Sequence, residues 1–264
     1  KNNFFEICFI GLIITLFLAQ TVNIFFPLNN YIIYFNLIFI VLFLLKNKKI
    51  DLDISKKDLL IFVIIFIISI ANIYSSGFSD DLNHYHYSSI LNADTSNLIW
   101  GMSSLHPLFG TSSIWLIGQS YLNFDSTRLQ DIHVTNGLIF FIFLSIFFSE
   151  LLNKSSEKKN YLPILFSLFI FVLIKYTRLK EFGIDRPLYL IFYFLLYYYL
   201  KYINEIADDK LNWHFFIFCL VLTSIFYIKV IFLFLLILPL YIFYYKKLDL
   251  KFFDSKYYLI VFIL

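Results

Sequence analysis

The sequence predicts an all-α protein that crosses a membrane several times. Of its 264 residues, 60% are hydrophobic and 22% are aromatic, and the apolar residues form long runs instead of alternating with polar ones. Alternation is typical of a transmembrane barrel, whereas long runs suit the helices that cross a bilayer core of about 30 Å. A helix also satisfies its own backbone hydrogen-bonding groups inside lipid. The fold class is therefore a polytopic helical membrane protein.

Apolar runs mark the individual spans. Several runs are short for the bilayer core, so we expect them to extend into flanking aromatic residues. The chain starts with Lys1 and stops inside an apolar run, which predicts a fragment of a longer protein with nine or more spans. The predicted spans are 4–26, 31–45, 59–75, 137–153, 161–175, 188–203, 211–228 and 230–245, with a truncated ninth from 257.

The distribution of lysine and arginine predicts the orientation. With the N-terminus in the cytoplasm, 15 of the 21 cations face the cytoplasm, as the positive-inside rule requires. The large loop 76–136 and the segment 175–187 then lie outside the membrane, within one transmembrane domain that covers 1–264. The net charge of +3 is small and scattered, which argues against nucleic acid as a partner.

The outer loop concentrates the titratable side chains. Between Gly77 and Asn136 it carries four of the five histidines and five aspartates, with Arg128 as its one cation. In an otherwise apolar chain this concentration is the best candidate for a chemical site. Two short helices are predicted in the loop, one around Tyr85–Leu91 and one over Ser113–Gly118. We expect the second to lie at the membrane interface, with its tryptophan at headgroup level.

Acids and histidines stand together at the start of the loop. Asp80 and Asp81 could act as a general base or bind a divalent cation such as Mg²⁺ or Mn²⁺, and the alternative is a helix cap. The nearby histidines favour chemistry, because they add a second kind of titratable group. His84 and His86 would share a face of an extended segment and could chelate a metal, whereas on a helix they diverge. His106, just before a proline, could also be an interfacial side chain.

Four of the six cations on the outer side, where positive charge is disfavoured, are candidates for a functional role. They either extend to lipid phosphates or bind a phosphate-bearing substrate, and the sequence leaves both readings open. Lys229 interrupts one long apolar run and is predicted at a tight outer turn between two helices. Gly183 and Pro187 bracket Asp185 in a turn-like segment. The four cations are Arg178, Lys180, Arg186 and Lys229.

Several of these segments resemble one known group of proteins. The stretch Asp81–His86 fits an Asp-x-x-x-Tyr-His pattern in the first outer loop of bacterial multi-spanning proteins related to GT-C glycosyltransferases. The stretch Gly101–Ser113 is similar to a Gly…Leu-His…Gly-x-x-Ser motif of one branch, and Glu181–Pro187 and Tyr227–Val230 are similar to its later signatures. Here the first motif follows the third span, whereas it usually follows the first.

The resemblance implies a glycosyltransferase of the bacterial inner (cytoplasmic) membrane, with a polyprenyl-phosphate sugar as donor and an outer-loop acid as base. Asp81 matches that acid. Asp80 and His86 are then predicted to orient the acceptor or bind the divalent cation. The predicted substrate-binding residues are His84, Tyr85, His106, Arg178, Lys180, Asp185, Arg186 and Lys229.

Two other classes of function stay open. A transporter needs charged or broken helices near the middle of the membrane, and Lys229 comes nearest to that description. A structural or assembly subunit needs no cluster of acids at all.

Overall fold

The computed structural model describes residues 3–29, 31–32, 34–35, 37–38, 42, 55–74, 86–99, 113–122, 133–153, 160–176, 183–203, 213–239 and 241. Within these ranges every regular element is a helix and no strand occurs, which confirms the prediction of an all-α chain. The helices are α1 (Phe4–Phe25), α2 (Lys56–Tyr74), α3 (Tyr87–Thr95), α4 (Ile114–Tyr121), α5 (His133–Leu152), α6 (Leu162–Tyr176), α7 (Asp185–Lys201), α8 (Trp213–Ile228) and a 3₁₀ helix, Val230–Leu236.

Three of these helices, α1, α2 and α5, are long and apolar enough to cross a membrane. Helices α6 and α8 are apolar but shorter. The chain forms two compact units: the first contains α1 to α5 and the end of α6, and the second contains the start of α6, α7, α8 and the 3₁₀ helix. The predicted spans at 31–45 and 230–245 lie only partly within the described residues, and the one from 257 lies outside them.

Helix α5 forms the centre of the first unit. In its most apolar stretch 72% of the residues are buried, against 17% in α2. The ring of Phe141 packs edge-on against Phe5 of α1 and Phe62 of α2, and Phe143 packs against Phe9 of α1. Aromatic rings supply much of this contact because each buries a large apolar area.

Polar side chains connect the ends of three helices in this unit. Asn3 caps α1 in a reciprocal pairing with Glu6, and its amide also donates to the Ser149 hydroxyl of α5 over 2.8 Å. That hydroxyl donates in turn to Asp58 in the first turn of α2 over 3.1 Å. Buried polar groups are stable when they are hydrogen-bonded, so this chain of contacts fixes where the three helices meet.

The opposite end of α2 is held in a similar way. The buried amide of Asn72 donates to the backbone carbonyl of Tyr176, the last residue of α6, over 2.8 Å. The Tyr176 ring stacks on Phe140 of α5, with 6.0 Å between ring centroids. Helix α2 buries only a stripe at helical spacing, namely Ile61, Ile65, Ser69 and Asn72.

The two short helices predicted in the outer loop are present as α3 and α4, but the expected environment of α4 is wrong. Every residue from Ile114 to Ser120 is buried, and Trp115 is 0% exposed, so this tryptophan is enclosed by protein and does not face lipid headgroups. Helix α4 packs between α1 and α3. Gly118 allows the close approach to α1, because a Cβ atom there would overlap the side chain of Leu16.

An aromatic cluster joins α7 to α8 in the second unit. The ring of Tyr202 stacks on His214 at 4.2 Å between centroids, and the Tyr198 hydroxyl lies 2.8 Å from His214 Nδ1. Lys201 Nζ donates to the Tyr197 hydroxyl over 2.9 Å and lies 5.1 Å from the centre of the Tyr202 ring. A hydrogen bond and a cation–π contact thus stabilise the positive charge of Lys201 at the end of α7.

We predict that Gly118→Ala destabilises the protein by about 1–3 kcal/mol, because the added methyl overlaps a terminal methyl of Leu16, whose side chain is fully buried. The matched control is Gly11→Ala on α1, where an added Cβ meets nothing within 4 Å. That change should leave stability equal or slightly higher, since alanine favours a helix. Thermal unfolding of the detergent-solubilised variants measures both. Equal midpoints for the two variants would contradict close packing of α4 on α1.

Candidate functional site

The structure describes four of the predicted site residues. His86 belongs to the first unit, and Asp185, Arg186 and Lys229 belong to the second. The others lie outside the described residues, so their predicted roles stay predictions. They are Asp80, Asp81, His84, Tyr85, His106, Arg178 and Lys180.

His86 stands directly before α3. Its backbone is helical, with φ −67° and ψ −49°, and its side chain is only 2% exposed. His84 lies outside the described residues, so both readings of the His84 and His86 pair stay open. His86 itself is an enclosed imidazole at the start of a helix.

A pocket lies beside α3, and none of the described residues that line it is charged. Its empty space, including the open mouth, is about 470 Å³. The described lining includes amide and hydroxyl side chains as well as aliphatic side chains of α3, α4 and the segment after α3. The lining residues are Asn23, Ser89, Asn92, Ala93, Ser96, Asn97, Leu98, Ile99, Ser113, Leu116 and Ile117.

Asn23, near the end of α1, holds one wall of this pocket in place. Its side chain is buried, and its amide donates to the backbone carbonyls of Ala93 and Ser96, each over 3.1 Å. Two backbone hydrogen bonds add to these contacts. Leu98 N donates to Asn23 O over 2.7 Å, and Leu28 N donates to Ala93 O over 2.8 Å. The last carbonyls of a helix need partners from elsewhere, and α1 provides them for α3.

The other wall begins at α4. The Ser113 hydroxyl caps this helix by accepting from Trp115 N over 3.2 Å, and the hydroxyl is buried. Tyr121, at the far end of α4, packs with Leu28 and Ile117, and burial raises the pKa of its phenol. The residues that border 100–112 in the chain, Ile99 and Ser113, both line the pocket. Ser113, the last residue of the predicted Gly101–Ser113 motif, therefore lines the pocket.

The second unit contains an ion pair at a break between helices. Helix α8 ends at Ile228, the 3₁₀ helix begins at Val230, and Lys229 between them is extended, with φ −152° and ψ 111°. Lys229 Nζ lies 2.6 Å from Oδ1 of Asp185, the first residue of α7. The two side chains are 41% and 51% exposed. The prediction that Lys229 separates two helices is confirmed.

Sequence reasoning missed the pairing itself. It treated Lys229 as a cation that either reaches lipid phosphate or binds substrate, whereas the structure gives it a carboxylate partner 44 positions away. The signal was present, because a lysine in an apolar run needs a counter-charge and Asp185 was predicted on the same side. Within the described ranges no three metal-binding side chains come together, and of the residues considered for a divalent cation only His86 is among those described.

The described fold is that of an all-helical protein with three helices able to cross a membrane, a pocket whose described lining residues are uncharged, and an ion pair at a helix break. The chain belongs to the family described as a domain of unknown function, DUF8201, which matches residues 1–264. No curated protein and no solved structure matches the chain.

We predict that Asn23→Ala costs about 1–3 kcal/mol of stability, because it removes the bonds that the Asn23 amide donates to the Ala93 and Ser96 carbonyls at the end of α3, the first of which is buried. The control is Thr21→Ala, also on α1, whose exposed hydroxyl bonds only to its own helix at Phe17 O over 2.9 Å. That change should stay within about 0.5 kcal/mol of the unchanged protein. Denaturant or thermal unfolding measures the difference. A cost for Thr21→Ala as large as that for Asn23→Ala would show that the connection to α3 contributes nothing of its own.

Proposed function

We propose that the chain is a multi-pass glycosyltransferase of the bacterial inner membrane. It takes a sugar from a polyprenyl-phosphate carrier and transfers it to an acceptor at the outer face. The observation that carries the proposal is the half-exposed Lys229–Asp185 pair at a helix break in an otherwise apolar stretch. The GT-C resemblance of Asp81–His86 supports it from the sequence.

The distribution of apolar surface supports the membrane part. On α2, side chains such as Phe62, Ile64 and Ile67 are 37%, 49% and 62% exposed. Each Å² of apolar surface left in water forgoes roughly 25 cal/mol of the stabilisation that its removal from water would give. In lipid this cost disappears, and the same helix is one of the three that are long enough to span the hydrocarbon core.

The ion pair supports a phosphate-bearing donor. A half-exposed lysine–carboxylate pair contributes about 0–1 kcal/mol, so replacing the carboxylate costs little. A phosphate brings more negative charge and more acceptor oxygens than a carboxylate, and Lys229 Nζ is accessible to it. Asp185, predicted to bind substrate, then serves as the counter-charge of Lys229 while no donor is bound. Arg178 and Lys180 are the further cations proposed for the carrier phosphate.

The polar loop supplies the proposed base. Asp81 accepts the proton of the acceptor hydroxyl as that oxygen attacks the anomeric carbon of the sugar, and the bond to the carrier phosphate breaks. The negative charge stays on the departing phosphate, where cations stabilise it. Asp80 and His86 orient the acceptor or bind a divalent cation, and His86 is enclosed at the start of α3.

A transporter is the second candidate, and the break at Lys229 favours it. Discontinuous helices with a charge at the interruption form substrate sites in many transporters. The two candidates differ in what they produce. Membranes of the transferase form a new glycosidic bond from a polyprenyl-phosphate sugar, whereas a transporter moves a solute into sealed proteoliposomes without forming one.

We predict opposite effects of two substitutions at the ion pair on binding of a polyprenyl phosphate to the protein in nanodiscs. Lys229→Gln should weaken binding by about tenfold or more, because a charge-assisted contact to phosphate is lost. Asp185→Asn should leave binding equal or tighter, because the competing carboxylate is removed. Lys57→Gln, at an exposed position of α2, is the control for a lost positive charge. Unchanged binding in both pair variants would mean that Lys229 has no part in donor recognition.

We predict that Asp81→Asn lowers product formation by about 10²-fold or more while the protein still accumulates in membranes, since the change removes the proton acceptor and keeps the size. Asp80→Asn should have a smaller effect. Asp94→Asn on α3 is the control for structural damage. It removes a carboxylate that lies outside the Asp81–His86 motif, is half-buried and interacts with neighbouring groups. Assays of sugar transfer, with protein amounts from immunoblots, separate the two causes. Equal rates in all three variants would remove Asp81 from the mechanism.

A further inference from the structure

We propose that the uncharged pocket beside α3 binds the ring of a neutral sugar. If the proposed transferase function holds, this sugar is the acceptor, and that assignment rests on the proposed function. The binding itself rests on the pocket alone, through three features: unused amide groups, an aliphatic floor and the absence of charge among the described lining residues.

Two amides face the pocket without a partner in the described part of the chain. Asn92, on α3, and Asn97, just after it, both line the pocket, and neither side chain forms a hydrogen bond with another described residue. An asparagine side chain offers two donor hydrogens and an acceptor oxygen. A sugar hydroxyl is likewise both donor and acceptor, so one amide can bond to two neighbouring hydroxyl groups of a ring.

The remaining wall is apolar. Ala93, Leu116 and Ile117 line the pocket and are 5%, 1% and 6% exposed, so their side chains are fixed within the protein. A pyranose ring is polar around its edge and carries C–H groups on its faces. A lining that combines amides with aliphatic carbons matches such an amphipathic ring better than a purely apolar or purely polar ligand.

The lack of charge selects against ionic ligands. Moving a phosphate or carboxylate out of water into this pocket would leave its charge without a counter-ion among the described lining residues, which is costly. A neutral ring carries no such penalty. The pocket therefore has a chemistry different from that of Lys229, which suits an anion.

The walls are already ordered before a ligand binds. The amide of Asn23 and the backbone of Leu98 tie α1 to the end of α3, and Ser96 N donates to Asn92 O over 2.9 Å. The capping bond from Trp115 N to Ser113 fixes the start of α4. A pocket that is held in this way loses little conformational entropy on binding, which helps a small ligand with few contacts.

The test is saturation-transfer NMR on the full chain in nanodiscs, with the methyl glycosides of glucose, galactose, mannose and N-acetylglucosamine as probes. We expect saturable binding of at least one glycoside. Asn92→Ala and Asn97→Ala should each weaken it by about tenfold, as expected for one lost hydrogen-bonding group in a binding site. Thr95→Ala is the matched control, because this exposed residue of α3 bonds to Leu91 O and does not line the pocket. The Thr95→Ala variant should bind the glycosides as tightly as the wild-type protein does.

Three results would overturn the inference: no glycoside binding at tens of millimolar, binding that is unchanged in both asparagine variants, or equal binding of glucose 6-phosphate. Asn97 is exposed, so its variant should fold even if Asn92→Ala does not. The outcome is separable from that of the proposed function. Sugar binding without any transfer would leave the pocket and remove the transferase, whereas transfer with wild-type binding in both variants would leave the transferase and remove the pocket.

Discussion

The connection that Asn23 makes between α1 and α3 is the interaction on which the candidate sugar site depends. Helix α1 is apolar along most of its length, and its last turns carry this one buried amide. In an environment of low dielectric constant, the final carbonyls of α3 would be costly without donors. Asn23 supplies donors to two of them and thereby anchors part of the polar loop to a helix long enough to cross a membrane.

The burial of α4 extends the same principle. A short helix that begins with the apolar run Ile114–Ile117 could lie on a membrane surface, and its composition alone fits that position. Burial between α1 and α3 instead requires one position without a side chain, and Gly118 provides it, because a Cβ atom there would overlap the side chain of Leu16. Helix α4 then supplies the aliphatic floor of the pocket through Leu116 and Ile117.

The side chains of Lys229 and Asp185 hold each other in contact and are still accessible from outside the protein. A fully buried pair would be costly to desolvate and hard to separate, whereas a fully exposed lysine would not be held in position. At 41% and 51% exposure the two side chains stay in contact and remain accessible. Because α8 ends just before Lys229 and the 3₁₀ helix begins just after it, this lysine is not part of a continuous helix.

The sequence by itself determined the helices and their interruptions. Hydrophobic runs predicted the helical class, Lys229 predicted a break, and the polarity pattern predicted short helices near Ile90 and Trp115, because these features depend on residues close in the chain. Of the candidate site, it identified the polar loop and Lys229. Only the tertiary structure decided that Trp115 is enclosed, that Asp185 pairs with Lys229, and that Asn23 joins α3 across 70 positions. The physical reason is that a hydrogen bond, an ion pair or a close packing contact depends on where distant helices meet, and local periodicity does not record that.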